Sequence, residues 1–432
     1  SKSRAMIKRL FLILAAMAAA VASTAQVTLE QCKAYAAENY PLLHKYGLVD
    51  RIRDVDLSEI NKGWLPQIEI YGQATAQNVV PAFPDKLSGI LEQMGTDVRG
   101  LGKVQYKAGI DLVQTIWDGG SSKARREVAH ATADEQRSAL DVQMYAINQR
   151  VENLFFGILL IEEQTRQIML TRELLESNLA KLRSMKANGT AMQSDVDMVE
   201  AQELTVGQQL IQAKSNAADC RKLLGLYTGQ DMSTCELAKP APTMPTTYSS
   251  DRPELRHFDA ALSLNRTQFE NVKASLMPKI GLFAQAYYGY PGFDYFKSMM
   301  SRDLSFNVLA GVKVSWNIGS FYTKSNREQK LKLSGEGIVN DRDVFLFNTG
   351  LETQAQADAI EEYKALMAED SRIVDLRANV RRAAESQLEN GVIDATALLT
   401  KITDENQARL NAAYHEIQMI QSIYKLKYVL NR

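Results

Sequence analysis

Residues 304–319 read Leu304-Ser305-Phe306-Asn307-Val308-Leu309-Ala310-Gly311-Val312-Lys313-Val314-Ser315-Trp316-Asn317-Ile318-Gly319. Leu304, Phe306, Val308, Ala310, Val312, Val314 and Trp316 occupy every second position, opposite Ser305, Asn307, Gly311, Lys313 and Ser315. A period of two predicts a strand with one apolar face. Three other stretches share the pattern. In 67–77, Ile68, Ile70, Gly72, Ala74 and Ala76 alternate with Gln67, Glu69, Tyr71, Gln73, Thr75 and Gln77. In 103–112, Val104, Tyr106, Ala108, Ile110 and Leu112 take one face, and in 279–288 Ile280, Leu282, Ala284, Ala286 and Tyr288 do so. The four expected strands, about 66–78, 103–117, 278–290 and 304–317, form two hairpins with loops near 80–101 and 291–303.

The rest of the chain has a different rhythm. No proline lies between Trp117 and Lys239, and none follows Pro291. Proline breaks helix interiors, so such gaps permit long helices. Leu140, Met144, Ile147, Val151, Leu154, Ile158 and Ile161 alternate spacings of four and three, the mark of a coiled-coil seam. The register continues through Ile168, Leu175, Leu179 and Leu182. A second seam runs Val199, Val206, Leu210, Ala213, Ala217, Cys220, Leu224, and a third runs Leu399, Ile402, Ala413, Ile417, Ile420, Tyr424. A helix over 121–187 spans roughly 100 Å at its 1.5 Å rise. Asn188-Gly189 and Asn390-Gly391 supply the turns, because glycine adopts the left-handed cap at a helix end. Two long helical hairpins are therefore expected, 121–227 and 320–430. Gly335, Gly337 and Gly350 threaten the first arm of the second hairpin.

The two halves repeat. Leu65-Pro66-Gln67-Ile68 mirrors Met277-Pro278-Lys279-Ile280, and Trp117-Asp118-Gly119-Gly120 mirrors Trp316-Asn317-Ile318-Gly319. The first repeat covers 26–227 and the second 252–432. Between them, 228–251 holds Pro240, Pro242 and Pro245 and reads as an irregular linker. Ahead of both, the apolar run from Leu10 to Ala22 follows Lys8 and Arg9 and precedes Ser23 and Ala25. This predicts a secretory signal peptide over 1–25. In the oxidising compartment this implies, Cys220 and Cys235 have two readings, a disulfide or two separate buried thiols. No small-residue lipobox precedes Cys32.

Composition excludes several classes. Fifty basic residues against 51 acidic ones leave no cationic excess for nucleic acid. A mean hydropathy of −0.24 argues against many membrane-spanning helices, but a β-barrel hides half its strand residues in a polar lumen. Enzyme and cofactor signatures fail. His415-Glu416 begins a zinc-protease motif that Met419 ends, and no P-loop or nucleophile elbow is present.

Four strands cannot close a barrel, and open edges are forbidden in lipid, so copies from other chains must complete the sheet. Trp64, Trp117 and Trp316 all stand at strand ends, as expected for an interfacial aromatic belt. Tyr288, Tyr290, Phe293, Tyr295 and Phe296 form the candidate girdle at the other end.

The duplicated strand–strand–long-helix–turn–long-helix order resembles the TolC-type outer-membrane efflux family. L-P-x-I or M-P-x-I opens each sheet segment and W-[DN]-x-G closes it. Val27-Thr28-Leu29-Glu30, Ala36, Asn39 and Pro41 resemble that family's mature N-terminus. The resemblance spans about 27–430. It implies an α+β membrane fold: a trimeric 12-stranded outer-membrane β-barrel, four strands per chain, continuous with a long α-helical periplasmic barrel. It also implies a homotrimer that works with a periplasmic adaptor and an inner-membrane transporter, exporting their substrates passively as an efflux or type I secretion channel. The alternative is a non-conducting, periplasm-spanning coiled-coil protein of the outer membrane.

The helical turns, Asn188-Gly189 and Asn390-Gly391, are then the periplasmic tip and adaptor-facing end. The family carries acidic residues at the positions of Ala397 and Thr400, where this chain has none. Asp195 matches a family acidic position in the first repeat, and the usual basic partner position is Ile393. Asp195, Asp197 and Asp394 are the candidate constriction charges, with Lys401 nearby; the other reading is a solvated helix end. Gln67, Glu69, Lys103, Lys107, Asp111 and Lys313 are the expected lumen residues.

Overall fold

A computed structural model describes residues 26–96 and 100–432. The expected signal peptide, 1–25, lies outside the described residues. The elements run in chain order as α1 (Leu29–Asn39), α2 (Leu43–Lys62), β1 (Gln67–Ala76), α3 (Asp85–Gln93), β2 (Val104–Trp117), α4 (Ser121–Ala187) and α5 (Gln193–Thr228). There follow α6 (Pro253–Ser275), β3 (Lys279–Tyr290), α7 (Tyr295–Met300), β4 (Ser305–Ser315), a 3-10 turn (Ile318–Thr323), α8 (Lys324–Glu389) and α9 (Ala395–Leu430). The chain divides into two compact units. One comprises Leu48–Arg137 and Phe258–Asn340. The other comprises Ser138–His257, Asp341–Arg432 and the described residues up to Gly47.

The first unit holds a single antiparallel sheet in the order β1-β2-β3-β4. The two expected hairpins are thus fused through β2 and β3, one strand from each repeat. Tyr106 faces Tyr290, Ile110 faces Ala286 and Leu112 faces Ala284 across this junction. The repeats also meet at their motifs. Gly119, with φ +71°, closes Trp117-Asp118-Gly119-Gly120, and a Cβ there would come within 2.4 Å of the Met277 Cβ. The closing motif of the first repeat is therefore seated on the opening motif of the second. Asp118 accepts the Gly120 N–H at 3.0 Å and the Ser122 N–H at 2.5 Å, so its carboxylate starts α4 as the strand ends. The Trp316 indole N–H donates to the Leu276 carbonyl at 2.9 Å, tying β4's end to the segment before β3.

The second unit is helical, and its core is the expected seam. Ile168, Leu175, Leu179 and Leu182 of α4 are buried against Val196, Val199, Val206, Leu210 and Ala213 of α5. Ala384 and Leu388 of α8 and Ala395, Leu398 and Ile402 of α9 complete the same cluster. On α9 the seam runs through Ala395 and Leu398, both fully buried, while Leu399 is only half-buried. A second cluster joins Ile147, Val151, Phe155, Phe156 and Ile158 of α4 to Leu224, to Ile417 and Ile420, and to α1 through Leu29, Cys32 and Ala36. Gly335, Gly337 and Gly350 do not interrupt α8, which runs 66 residues. α5 ends on left-handed Gly229, and the next helix or strand begins at Pro253. A parallel bridge between Val27 and Leu237 ties the linker to the N-terminal segment.

Cys220 and Cys235 are not joined, and all three cysteines are free thiols. The Cys235 thiol instead donates to the Asp231 carbonyl at 3.2 Å, while Arg221 of α5 donates to the Cys235 carbonyl. Short sequence spacing thus brings the Cys235 backbone, not its sulfur, to the helix.

Phe155 is fully buried where α1, α4, α5 and α9 converge, and its removal leaves a cavity. Phe155→Ala is expected to cost about 3–5 kcal/mol of unfolding free energy. Leu399→Ala should cost clearly less, and thermal unfolding of the two variants beside the parent checks the order.

Candidate functional site: an apolar sheet face and paired helical tips

Pairing register decides what the sheet can do. Ile68 faces Leu112, Ile70 faces Ile110 and Ala74 faces Tyr106. Leu112 in turn faces Ala284, Ile110 faces Ala286, and Ala286 faces Val308. All four alternating apolar sets therefore lie on one side of one sheet. That side is uncovered: Ile70 is 79 % exposed and Phe306 69 %, with Ile68, Val104, Leu282, Val308, Val312 and Val314 also exposed. A contiguous apolar face of this extent marks a contact with lipid or another apolar partner. The row is adjusted once, by a register shift between Thr115 and Trp117, which returns Trp117 to the apolar side opposite Ile280.

The other face is polar in its chemistry. Gln285 donates to Asp111 at 2.8 Å, and the Lys107 ammonium sits 5.7 Å from the Tyr71 ring and 5.4 Å from the Tyr287 ring. Gly109 lies between the two tyrosines in the register. A Cβ there would meet the Ala286 carbonyl oxygen at 2.6 Å. Glu69, Lys107, Asp111 and Lys313 thus share the face expected to line a lumen.

Trp64, Trp117 and Trp316 stand exposed at one edge of the sheet, where β1 and β3 begin and β2 and β4 end. At the other edge Tyr288, Phe293, Tyr295 and Phe296 are exposed, but Tyr290 is not. It is 2 % exposed, accepts the Gly102 N–H at 2.6 Å and donates to the Ser298 carbonyl at 3.0 Å. Tyr290 therefore leaves the expected girdle: it fastens the two strand-connecting loops together.

The helical tips in the other unit are built twice. Gly189 has φ +78° and Gly391 φ +71°. Thr190 donates to the Met185 carbonyl at 2.9 Å, and Val392 donates to the Gln387 carbonyl at 2.8 Å. Gly189 and Gly391 donate to the Lys186 and Leu388 carbonyls, each at 2.9 Å, so the same helix-stop motif closes both turns. The two tips touch, since Thr396 donates to the Met198 sulfur at 3.2 Å. Lys181 also reaches Glu389 at 2.7 Å.

The three candidate aspartates have local work there. Asp394 is the N-cap of α9 and accepts the Ala397 N–H at 2.8 Å. Asp195 reaches back to the Met192 N–H at 3.0 Å, and Asp197 accepts from Gln193 at 2.5 Å. Asp394 and Asp197 remain exposed, and Asp195 is half-buried. Nothing here joins them to Lys401.

The structure adds a charged layer that pattern reading missed. Glu203 and Glu405 are buried, 14 residues after Gly189 and Gly391 respectively. Arg172 of α4 holds Glu203 at 2.6 Å. Arg381 of α8 holds Glu405, which also takes Arg409 at 2.7 Å, while Arg381 reaches Glu385 at 2.7 Å. The matching distance from each glycine was the available signal. Burial pushes the Glu405 carboxyl up, but hydrogen bonds from Arg381 and Arg409 outweigh it and hold the group below its usual range. Among the described residues no group of histidine, cysteine, aspartate or glutamate side chains could hold a metal ion, and no helix is long and apolar enough to cross a membrane.

No protein-family model matches this sequence, and no curated protein resembles it in sequence. Solved structures do resemble it. The outer-membrane channel OprN superposes with a TM-score of 0.67 over 93 % of this chain and 89 % of its own, at 13 % identity. The outer-membrane protein VceC from Vibrio cholerae gives 0.66 over 93 % and 95 %, at 12 % identity. The chain has the TolC-like outer-membrane channel fold. The open state of the Neisseria gonorrhoeae MtrE outer membrane channel gives 0.65 over 93 % and 88 %, at 14 % identity. The TolC-like fold accounts for the four-stranded sheet and the paired long hairpins together.

Glu405→Gln is expected to cost about 2 kcal/mol at neutral pH, because charge-assisted hydrogen bonds are lost from a buried site. The native carboxyl titrates below its unfolded value, so its stabilisation is complete above about pH 4.5 and fades as pH falls through the native value. Unfolding curves at pH 7 and pH 3 check this: the gap between parent and variant should shrink at the lower pH.

Proposed function

We propose that this chain is the outer-membrane channel of an efflux or type I secretion system, through which substrates handed over by an inner-membrane transporter and a periplasmic adaptor leave passively. The observation that carries the proposal is the register that gathers every apolar strand face onto one exposed side of a sheet whose outer strands, β1 and β4, each have one strand neighbour among the described residues. Such a sheet is soluble in lipid only when its edges are paired. Four strands per chain give twelve in a trimer, a size at which a barrel encloses a polar lumen.

The helices support the same assembly. Leu204 and Ile211 on α5 lie seven residues apart, and Ile211 is 72 % exposed. On α8, Val344, Phe347 and Leu351 follow spacings of three and four, and Phe347 is 68 % exposed. These are unburied seams on two different helices. A head-to-tail contact between unlike surfaces closes into a ring when its rotation divides a full turn. The neighbours with this fold are outer-membrane channels, which favours placement in the outer membrane with the helices in the periplasm. The doubled Asn-Gly tips are the surface offered to the adaptor. Asp195, Asp197 and Asp394 stand beside those tips, where their symmetry copies form rings of negative charge.

Purified protein should run as a trimer in detergent and conduct in planar bilayers. Ile211→Asp combined with Phe347→Asp should yield monomer and abolish conductance. A trimer that never conducts, even with both tips removed, would instead favour the coiled-coil scaffold. Asp195→Asn and Asp394→Asn, which keep a capping oxygen, should lower cation preference in the same recording. Unchanged ion selectivity in the double variant would remove these aspartates from the constriction.

A further inference from the structure

The chain has three cysteines, and all three pack on one hydrophobic cluster of the helical unit. Cys32 is a fully buried member on α1, while Cys220 on α5 and Cys235 in the linker are half-buried against it. The backbone holds the segments of two of them side by side. Val27 donates to the Glu236 carbonyl at 2.8 Å, and Ala238 donates to the Val27 carbonyl at 3.0 Å. This bridge lays residues 236–238 beside Val27, two residues ahead of α1. Cys235 is next to it in the chain and packs on the cluster that holds Cys32, which lies one turn into that helix with its N–H on the Thr28 carbonyl at 3.1 Å. The main chain of Cys235 is held from the other side by Arg221, which donates to the carbonyls of both Met232 and Cys235. The Cys235 thiol donates locally, to the Asp231 carbonyl four residues back.

We propose that Cys32 and Cys235 form a disulfide once the protein has been exported, fastening α1 to the linker between the two repeats. The proposal rests on the export expected of an outer-membrane channel. The oxidant is an exogenous disulfide, organic or protein-borne. The half-buried Cys235 sulfur attacks it, loses its proton and releases one thiol, giving a mixed disulfide. The Cys32 sulfur then attacks the Cys235 sulfur, loses its proton and expels the second thiol. Two cysteines are oxidised and one donor disulfide is reduced to two thiols. Burial, and next the neighbouring Cys235, push the Cys32 thiol up to about 11, so little of it is thiolate and an exogenous disulfide meets the half-buried Cys235 first. The bridge closes a loop of about 200 residues, the whole first repeat, and long loops gain most from such a link.

The test uses the full-length purified protein in detergent, reduced and then incubated with oxidised glutathione. Thiols are counted by alkylation under denaturing conditions, and linked peptides are mapped without reduction. The expected count falls from three to one, the remaining thiol is Cys220, and a Cys32–Cys235 peptide appears. Cys220→Ala should keep that peptide and leave no thiol. Cys32→Ala and Cys235→Ala should each retain both remaining thiols and lose the rise in unfolding temperature that oxidation gives the parent. Three surviving thiols, a Cys220–Cys235 peptide, or glutathione left on Cys235 would each overturn the proposal. A protein that conducts yet keeps three thiols sinks the disulfide alone. One that forms the bridge yet never conducts sinks the channel reading alone.

Discussion

The sheet is governed by its two outer strands, β1 and β4, each of which has one strand neighbour among the described residues. In water these edges would be a hazard that a charge or a proline could blunt. Beside an exposed apolar face they are more restrictive. In hydrocarbon each unpaired backbone group costs several kcal/mol, so the face and the edges cannot both be satisfied by one chain. Closure through further copies answers both at once. The same need arises separately in the helical unit, where α5 and α8 carry apolar seams that their own chain leaves open. Two independent unsatisfied surfaces, one set by hydrogen bonding and one by hydrophobic burial, ask for the same kind of partner.

The internal duplication explains how one sequence builds repeated parts with different detail. Both turns use a left-handed glycine and the same pair of hydrogen bonds, and both following helices bury a glutamate at the same distance from that glycine. Each of those glutamates is neutralised by an arginine from the first helix of its hairpin but from a different position, Arg172 seventeen residues before Gly189 and Arg381 ten before Gly391. Arg172 comes from α4 for one, and Arg381 from α8 and Arg409 from α9 for the other. A buried carboxylate demands a cation but leaves its origin open, provided geometry and hydrogen bonds are met. The aspartates near the tips show a related economy. Asp394 caps a helix and is still exposed, and a carboxylate with one oxygen on a backbone N–H keeps its charge for another role.

Much of this was legible from periodicity. The four strands, the apolar face of each, the long hairpins and their glycine turns follow from local spacing, because strand and helix geometry convert position directly into direction. What spacing could not reveal was non-local. The pairing of β2 with β3 joins segments more than 160 residues apart, and only that pairing makes two hairpins into one sheet. Tyr290 has the same local pattern as Tyr288, yet a hydroxyl between Gly102 and Ser298 draws it inside. Gly335, Gly337 and Gly350 looked like interruptions of α8. Each costs a helix only about 1 kcal/mol, which a 66-residue helix carries. The Cys220–Cys235 spacing suggested a pair, but the chain's return path brings Cys235 towards α1.

The low identity to channels of the same fold, 12–14 %, has a physical reading. Alternation on a strand, a three-four repeat on a helix and a glycine at a turn constrain residue classes at fixed spacings. Valine, isoleucine and phenylalanine serve equally on a lipid-facing strand, and leucine, isoleucine and alanine serve in a seam. Positions with stricter demands are few: a glycine where φ is positive, tryptophan at a sheet edge, an acidic cap before a helix. The sequence can therefore drift far while the pattern persists. The place of a charge is not protected in this way, because a carboxylate can move along a helical tip without disturbing the seam beneath it. Ala397 and Thr400 lie on α9 just past the tip, while Asp394 supplies its negative charge at the cap itself. The seam residues Ala395, Leu398 and Ile402 run unbroken beneath these positions, so the scaffold permits the carboxylate to stand at either place.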